Sequence, residues 1–84
     1  MKGTIMEINR TRGRVAVGSE KNSSFSVFEM LANTNFQVGD ELSWQDESSF
    51  GKYQIKNITQ NEYAEVLFQE HGISLSNLSK QMLY

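Results

Sequence analysis

The 84-residue sequence contains no cysteine and no proline. Without cysteine there is neither a disulfide nor a thiolate metal site, so stability has to come from packing and a closed hydrogen-bond network. That absence fits a reducing compartment. Without proline, no extended stretch is broken by a residue lacking its N–H. No apolar run approaches the roughly 18 residues that a membrane-spanning helix needs. The first residues carry one lysine, no continuous apolar segment and no small-residue cleavage pattern, which argues against a secretory signal. A cytoplasmic protein without membrane association is the expectation.

Chemistry-bearing residues are equally sparse. His71 is the single histidine, and no second histidine or cysteine accompanies it to form a zinc site. Gly51-Lys52 is followed by Tyr53 and lacks the first glycine of a phosphate-binding loop. Asp40, Glu41, Asp46 and Glu47 do not follow calcium-loop spacing, and no Gly-x-Ser-x-Gly elbow is present. No enzyme activity, metal or cofactor is therefore expected. The length suits one domain, 1–84, with a limited core.

Formal net charge is −2, which does not describe a basic protein coating nucleic acid. The charges are unevenly placed. Residues 1–21 hold Lys2, Arg10, Arg12, Arg14 and Lys21 against only Glu7 and Glu20, whereas the rest of the chain holds three lysines against eight acids. A local basic patch on an acidic protein can bind phosphate, although charged residues also gather at turns simply because turns are solvated.

Met1–Asn9 alternates in a manner that predicts a strand. Asn9 to Gly13 supplies turn chemistry, with Gly13 free to take positive φ and Asn9 able to bond its own backbone. Arg14–Gly18 is the return strand, with Val15 and Val17 on one face. After a polar loop at 19–24, Phe25–Phe28 reads as a third strand. Glu29–Ala32 has the composition of a single helical turn, broken by Asn33–Asn35. Phe36–Asp40 approaches a turn, and Glu41–Gln45 is a strand that sends Trp44 to the core. A solvated loop follows at 46–49. Tyr53–Thr59 is the fifth strand. Five short strands with glycine-containing turns predict a mainly all-β, antiparallel barrel.

The segment 61–71 reads two ways: as a helix capped by Asn61, or as a strand, which is preferred because Val66-Leu67-Phe68 is apolar on both faces. Residues 74–84 predict a short amphipathic helix. Ser74 is its N-cap, Ile73 and Leu78 form a hydrophobic staple, and Leu75, Leu78, Met82 and Leu83 share a stripe. Residues 60–84 are thus expected as an extension packed on the barrel.

Gly3-Thr4-Ile5, Asn9, Arg12-Gly13 and Val17 resemble the opening of a cold-shock domain, Gly-x-Val-Lys-Trp-Phe-Asn followed by Lys-Gly-Phe-Gly-Phe-Ile. Phe25-Ser26-Val27-Phe28 resembles that family's Val-Phe-Val-His strand. Phe36 to Trp44 resembles its Leu-x-x-Gly-x-x-Val-x-Phe passage, and Lys56-Asn57-Ile58-Thr59 its closing Ala-x-Asn-Val. The likeness spans residues 3 to about 59; the tail has no counterpart. It implies a five-stranded barrel of the oligonucleotide-binding (OB) type, cold-shock or S1-like. In that family single-stranded bases stack on exposed aromatics, each stack contributing roughly 1–3 kcal/mol. Here Glu7 and Ile8 stand at the Trp and Phe positions, and Arg14 and Ala16 replace the two phenylalanines of the second strand. In the third strand either Ser26 replaces Phe and Phe28 replaces His, or Phe28 is the Phe with Met30 after it.

Arg10, Arg12 and Arg14 are the leading binding candidates, since guanidinium groups hold phosphates and stack on bases. The competing assignment for Arg14 is a cross-strand pair with Glu7. Phe28 is a candidate stacking residue, with burial beneath the C-terminal helix as its alternative. Lys52 and Tyr53, beside Phe50, suit single-stranded nucleic acid or an ordinary strand start. The functional expectation is a module for single-stranded RNA or DNA. The alternative is a non-catalytic protein-interaction or self-association module, as a homodimer or with a protein partner, on a barrel that has lost nucleic-acid binding.

Overall fold

Lys2–Asn9 (β1) and Arg14–Ser19 (β2) form an antiparallel hairpin around a turn in which Gly13 adopts φ 70° and Asn9 Oδ1 accepts the Arg12 N–H at 3.3 Å. The computed structural model describes residues 1–19, 24–45 and 51–83. Lys21, Asp46, Glu47, Phe50 and the predicted loop at 46–49 lie outside the described residues. The remaining strands are Phe25–Met30 (β3), Glu41–Ser43 (β4), Gly51–Asn57 (β5) and Glu62–Ile73 (β6), followed by one helix, Leu75–Gln81 (α1). No helix among the described residues is long and apolar enough to cross a membrane.

The strands close into an antiparallel barrel in the order β1-β2-β3-β6-β5-β4. The expected five strands are therefore six. The sixth is the ambiguous segment, which is strand and not helix, and it is part of the wall: β6 lies between β3 and β5 and pairs with both. Asn61, the helix cap in the alternative reading, instead takes φ 55° in the turn that leads into β6. Glu29–Ala32 makes no helical turn. Glu29 and Met30 continue β3: Glu29 pairs with Arg14 of β2 and Leu67 of β6, and Met30 pairs with Val66 of β6 while its N–H donates to the Gly13 carbonyl in the β1–β2 turn.

Ile5, Val15, Val17, Phe28, Leu42, Ile55, Val66 and Phe68 fill the interior, with Phe36 and Trp44 completing it. Phe28 sits at the centre, with edge-to-face contacts to Phe36 at 5.8 Å and Phe68 at 5.5 Å between ring centroids. Strict alternation along β1 fails at Met6, which has no partner on β2: Ile5 lies opposite Val17 and Glu7 opposite Ala16. This bulge turns Ile8, three residues after Ile5, back against the core.

The outer face of β2 and β3 carries a second, smaller core. Ala16, Val27 and Ile73 are covered by Leu78 and Met82 of the C-terminal segment. Asn9, buried, donates its side-chain amide to the Met82 carbonyl at 2.7 Å. A seven-residue helix does not persist by itself in water. Burial of two side chains, roughly 1.5–3 kcal/mol each, holds this one down. Ser74 occupies the N-cap position, as its sequence predicts, but its hydroxyl makes no cap bond to the helix backbone. Leu75, placed on the apolar stripe by spacing, is 72% exposed; the docked face of this short helix reduces to Leu78 and Met82.

The passage from β3 to β4 is pinned by Asp40. Its carboxylate accepts the Gln37 N–H (3.0 Å), the Asn57 amide (2.8 Å) and the Gln60 amide (2.7 Å). Burial alone would raise this carboxyl's pKa, and the three donated bonds outweigh it and hold the pKa below its ordinary value. A depressed folded-state pKa gives stability that is complete above the unfolded value, near 4, and is lost as pH falls through the folded value. Thermal midpoints are accordingly expected to be flat above about pH 5 and to decline on acidification below about pH 4. Asp40→Ala should cost about 1–3 kcal/mol at neutral pH by leaving the buried Asn57 amide without its acceptor, and should flatten part of that acid decline. Denaturant melts across pH check both.

Candidate interaction groove

The six residues singled out from sequence do not converge. Arg10 and Arg12 are exposed on the β1–β2 turn, where the Arg10 guanidinium donates to the Phe36 carbonyl. Arg14 is half-buried, opposite Asn9 on β1 and Glu29 on β3. Its cross-strand neighbour is therefore not Glu7, which the Met6 bulge sets opposite Ala16. Phe28 is fully buried inside the barrel. It offers no ring to a base, and it does not lie beneath the helix either: Val27 and Phe25, of the other parity, face α1. Lys52 and Tyr53 belong to β5, so they point to opposite sides of the wall. Lys52 is outside, 3.6 Å from Glu65, and Tyr53 packs inward against Phe68 at 6.2 Å.

The register nevertheless aligns part of the set. Asn9, Arg14, Glu29, Leu67 and Lys52 form one cross-strand row over β1-β2-β3-β6-β5. Next to it, the row from Glu7 to Ala16 and Val27 runs under α1, where Ala16 has no exposed surface. The outer face of β1–β3 is thus half roofed by the chain's own helix and half open.

The open half leads to a groove of about 590 Å3 between the 31–36 segment and the start of β6. That volume falls inside the ~300–1,000 Å3 range of ligand pockets. Leu31 and Tyr63, 42% and 65% exposed, stand on its two sides, with Ala64 and the buried Phe36 between them. The Lys56 ammonium sits 5.8 Å from the Tyr63 ring centroid. The loop side is held by two hydrogen bonds, from Arg10 to the Phe36 carbonyl and from Gln60 to the Asn35 carbonyl. Arg10 thereby has a positioning role that its sequence neighbourhood did not reveal.

No family model matches this chain, and no curated protein or solved structure shows significant similarity to it.

The groove was not legible in the sequence. By sequence Leu31 falls in an expected helical turn and Tyr63 in a segment that reads as either helix or strand. The available signal was a mismatch of lengths: a strand of twelve residues set against one of six has to overhang its partner. His71 also gains a setting. Its ring stacks on Phe68 at 4.8 Å and its Nδ1 lies 2.8 Å from Ser26 Oγ, so it closes the barrel wall on that side. Among the described residues no three His, Asp or Glu side chains group in a manner that could hold a metal ion.

Proposed function

We propose that the chain is a small non-catalytic protein-interaction module, built on an OB-type barrel of cold-shock or S1-like frame whose base-binding face is occupied by its own C-terminal helix. The observation that carries this reading is the seating of Leu78 and Met82 on Ala16, Val27 and Ile73, tied by Asn9 to the Met82 carbonyl. The face where the resemblance would put stacked bases is covered just where Ala16 lies. The exposed pair Leu31 and Tyr63 supplies an alternative surface of apolar character. A protein partner suits that surface better than a phosphate backbone, because Glu62 and Glu65 flank it.

Site-specific photocrosslinking in cells tests the reading. With p-benzoylphenylalanine in place of Tyr63, protein adducts are expected in clear excess over a control position, Ser79, on the exposed side of α1. Adducts to nucleic acid, or no excess over the control, would overturn it.

A second reading, binding of single-stranded RNA or DNA by the β1–β2 turn, has one observation in its favour. Among the described residues Arg10, Arg12 and Arg14 have no carboxylate within ion-pair distance; the one such pair is Lys52 with Glu65. Titration of isotope-labelled protein with oligothymidine and oligouridine at low salt separates the two. The interaction-module reading expects no saturable shift between Arg10 and Ala16. Shifts that weaken steeply as salt rises, and that an Arg12→Ala/Arg14→Ala double variant abolishes, would put the second reading in its place.

A further inference from the structure

The barrel is closed in topology but carries a gap in its wall. β3 pairs with β6 only as far as Met30, opposite Val66. The chain then bends away at Leu31 and Ala32, while β6 continues through Glu65, Ala64 and Tyr63 to Glu62, paired on one side with β5. Among the described residues no backbone hydrogen bond joins the 31–36 segment to residues 62–65. In an antiparallel strand, alternate residues turn both N–H and C=O toward one neighbour. Two of the four residues from 62 to 65 therefore direct a donor and an acceptor into the groove, where no backbone group among the described residues meets them. The gap is bounded at one end by Met30 opposite Val66 and at the other by the Gln60 bond to the Asn35 carbonyl. Four strand residues at ~3.4 Å each make it about 14 Å long.

We propose that this open edge of β6 accepts an extended peptide segment of a partner protein as an added strand, with an apolar side chain held between Leu31 and Tyr63 and a basic side chain beside Glu62. The inference rests on the interaction-module reading and names the chemistry of its partner. An unpaired strand edge presents donors and acceptors at the repeat of a polypeptide backbone, and strand addition satisfies them while side-chain pockets provide selectivity. A nucleic-acid strand has no matching amide ladder. The charge at the rim points the same way: Glu62 is exposed without an ion-pair partner among the described residues, and Lys52 is already engaged by Glu65. The apolar lining is Leu31, Tyr63 and Ala64; Tyr63 and Ala64 are adjacent on β6 and turn to opposite faces, so successive side chains of an added strand meet Tyr63 on one face and Ala64 on the other.

The absence of cysteine permits a direct test, since one introduced thiol is unique in the chain. Asn33→Cys, on the exposed loop side of the groove, is joined by a disulfide to a cysteine-ended hexapeptide of alternating valine and lysine. Tethering raises the local peptide concentration to the order of millimolar, so that a weak strand still docks. Amide exchange should slow about tenfold at two alternate residues within 62–65, and at no comparable site elsewhere. Two N-methylated twins carry the same side chains but block alternate N–H groups in the two opposite registers. One twin should lose the protection and the other should keep it, a difference that only strand geometry produces. Equal protection by both twins, or by neither the parent peptide nor a twin, overturns the proposal. So does a thiol-ended oligothymidine that protects the same amides as strongly. So does an untethered chain that is already dimeric with those amides protected, which would make a second copy the occupant. Protein crosslinks at position 63 without edge protection would remove strand addition and leave the interaction module standing; edge protection without crosslinks would show an edge that takes a strand but has no protein partner, and would overturn both.

Discussion

Phe28→Ala is expected to lower the stability of the chain by about 3–5 kcal/mol, the usual cost of emptying an aromatic-sized volume in a core. The ring is wholly enclosed and touches Phe36 and Phe68 edge-on, so the cavity has no small neighbour that can slide in to fill it. A chain of this size has a total stability of about 4–13 kcal/mol on a per-residue basis. The variant should therefore melt at least ~12 °C lower, and should be partly unfolded at physiological temperature. Chemical denaturation gives the value. The same substitution at a base-stacking residue on the surface would leave stability almost unchanged. A loss below about 1 kcal/mol would thus move Phe28 out of the interior and restore its candidacy as a ligand contact.

Gly3→Ala ranks next in expected effect, and its cause is close approach between strands. A β-carbon at Gly3 would lie 2.5 Å from Val17 Cγ1 and 2.7 Å from the Gly18 carbonyl oxygen. Val17 is itself buried in the barrel and Gly18 is backbone of the neighbouring strand, so neither can retreat cheaply. Overpacking of this kind costs about 1–3 kcal/mol. The diagnostic is a double variant. Val17→Ala removes one of the two clashes, so the combined loss should fall short of the sum of the single losses by about 0.5 kcal/mol or more. Strict additivity in equilibrium unfolding would show that the two positions do not meet.

The parts of this fold that could be read from sequence are those governed by local periodicity. Val15 and Val17 share the inner face because their spacing is two, and the Asn9–Gly13 turn follows from the conformational range of its residues. Ser74 and Leu78 mark the helix for similarly local reasons. What was not legible depends on partners distant in the chain. The bulge at Met6 shifts the face of Glu7 and Ile8, and alternation carries no trace of it. Val66-Leu67-Phe68 is apolar on both faces, which favours a strand, but Asn61 as a cap leaves a helix open; only the pairing of β6 with β3 and β5 decides between them. The groove needs three separate facts at once: the length of β6, the point where β3 stops, and the fixing of Asn35 and Phe36 by Gln60 and Arg10. The arginine turn was visible as a charge cluster, but the commitment of Arg10 to a carbonyl 26 residues away was not.

The strand order also has a bearing on how the molecule assembles. β1-β2-β3 and β4-β5-β6 are two consecutive meanders, and each can form from neighbours in the chain. Among the described residues two seams, β1 with β4 and β3 with β6, join them, and both unite residues far apart in sequence. The interior has no lid until both seams are shut, because Phe28 on one meander and Phe68 on the other bury each other across the second. A half-built barrel would expose both ring surfaces and the free edges of β3 and β6, so its loop-closure entropy is spent before any core is gained. Closure is therefore expected as a single cooperative step, with the two halves stable together and neither stable alone.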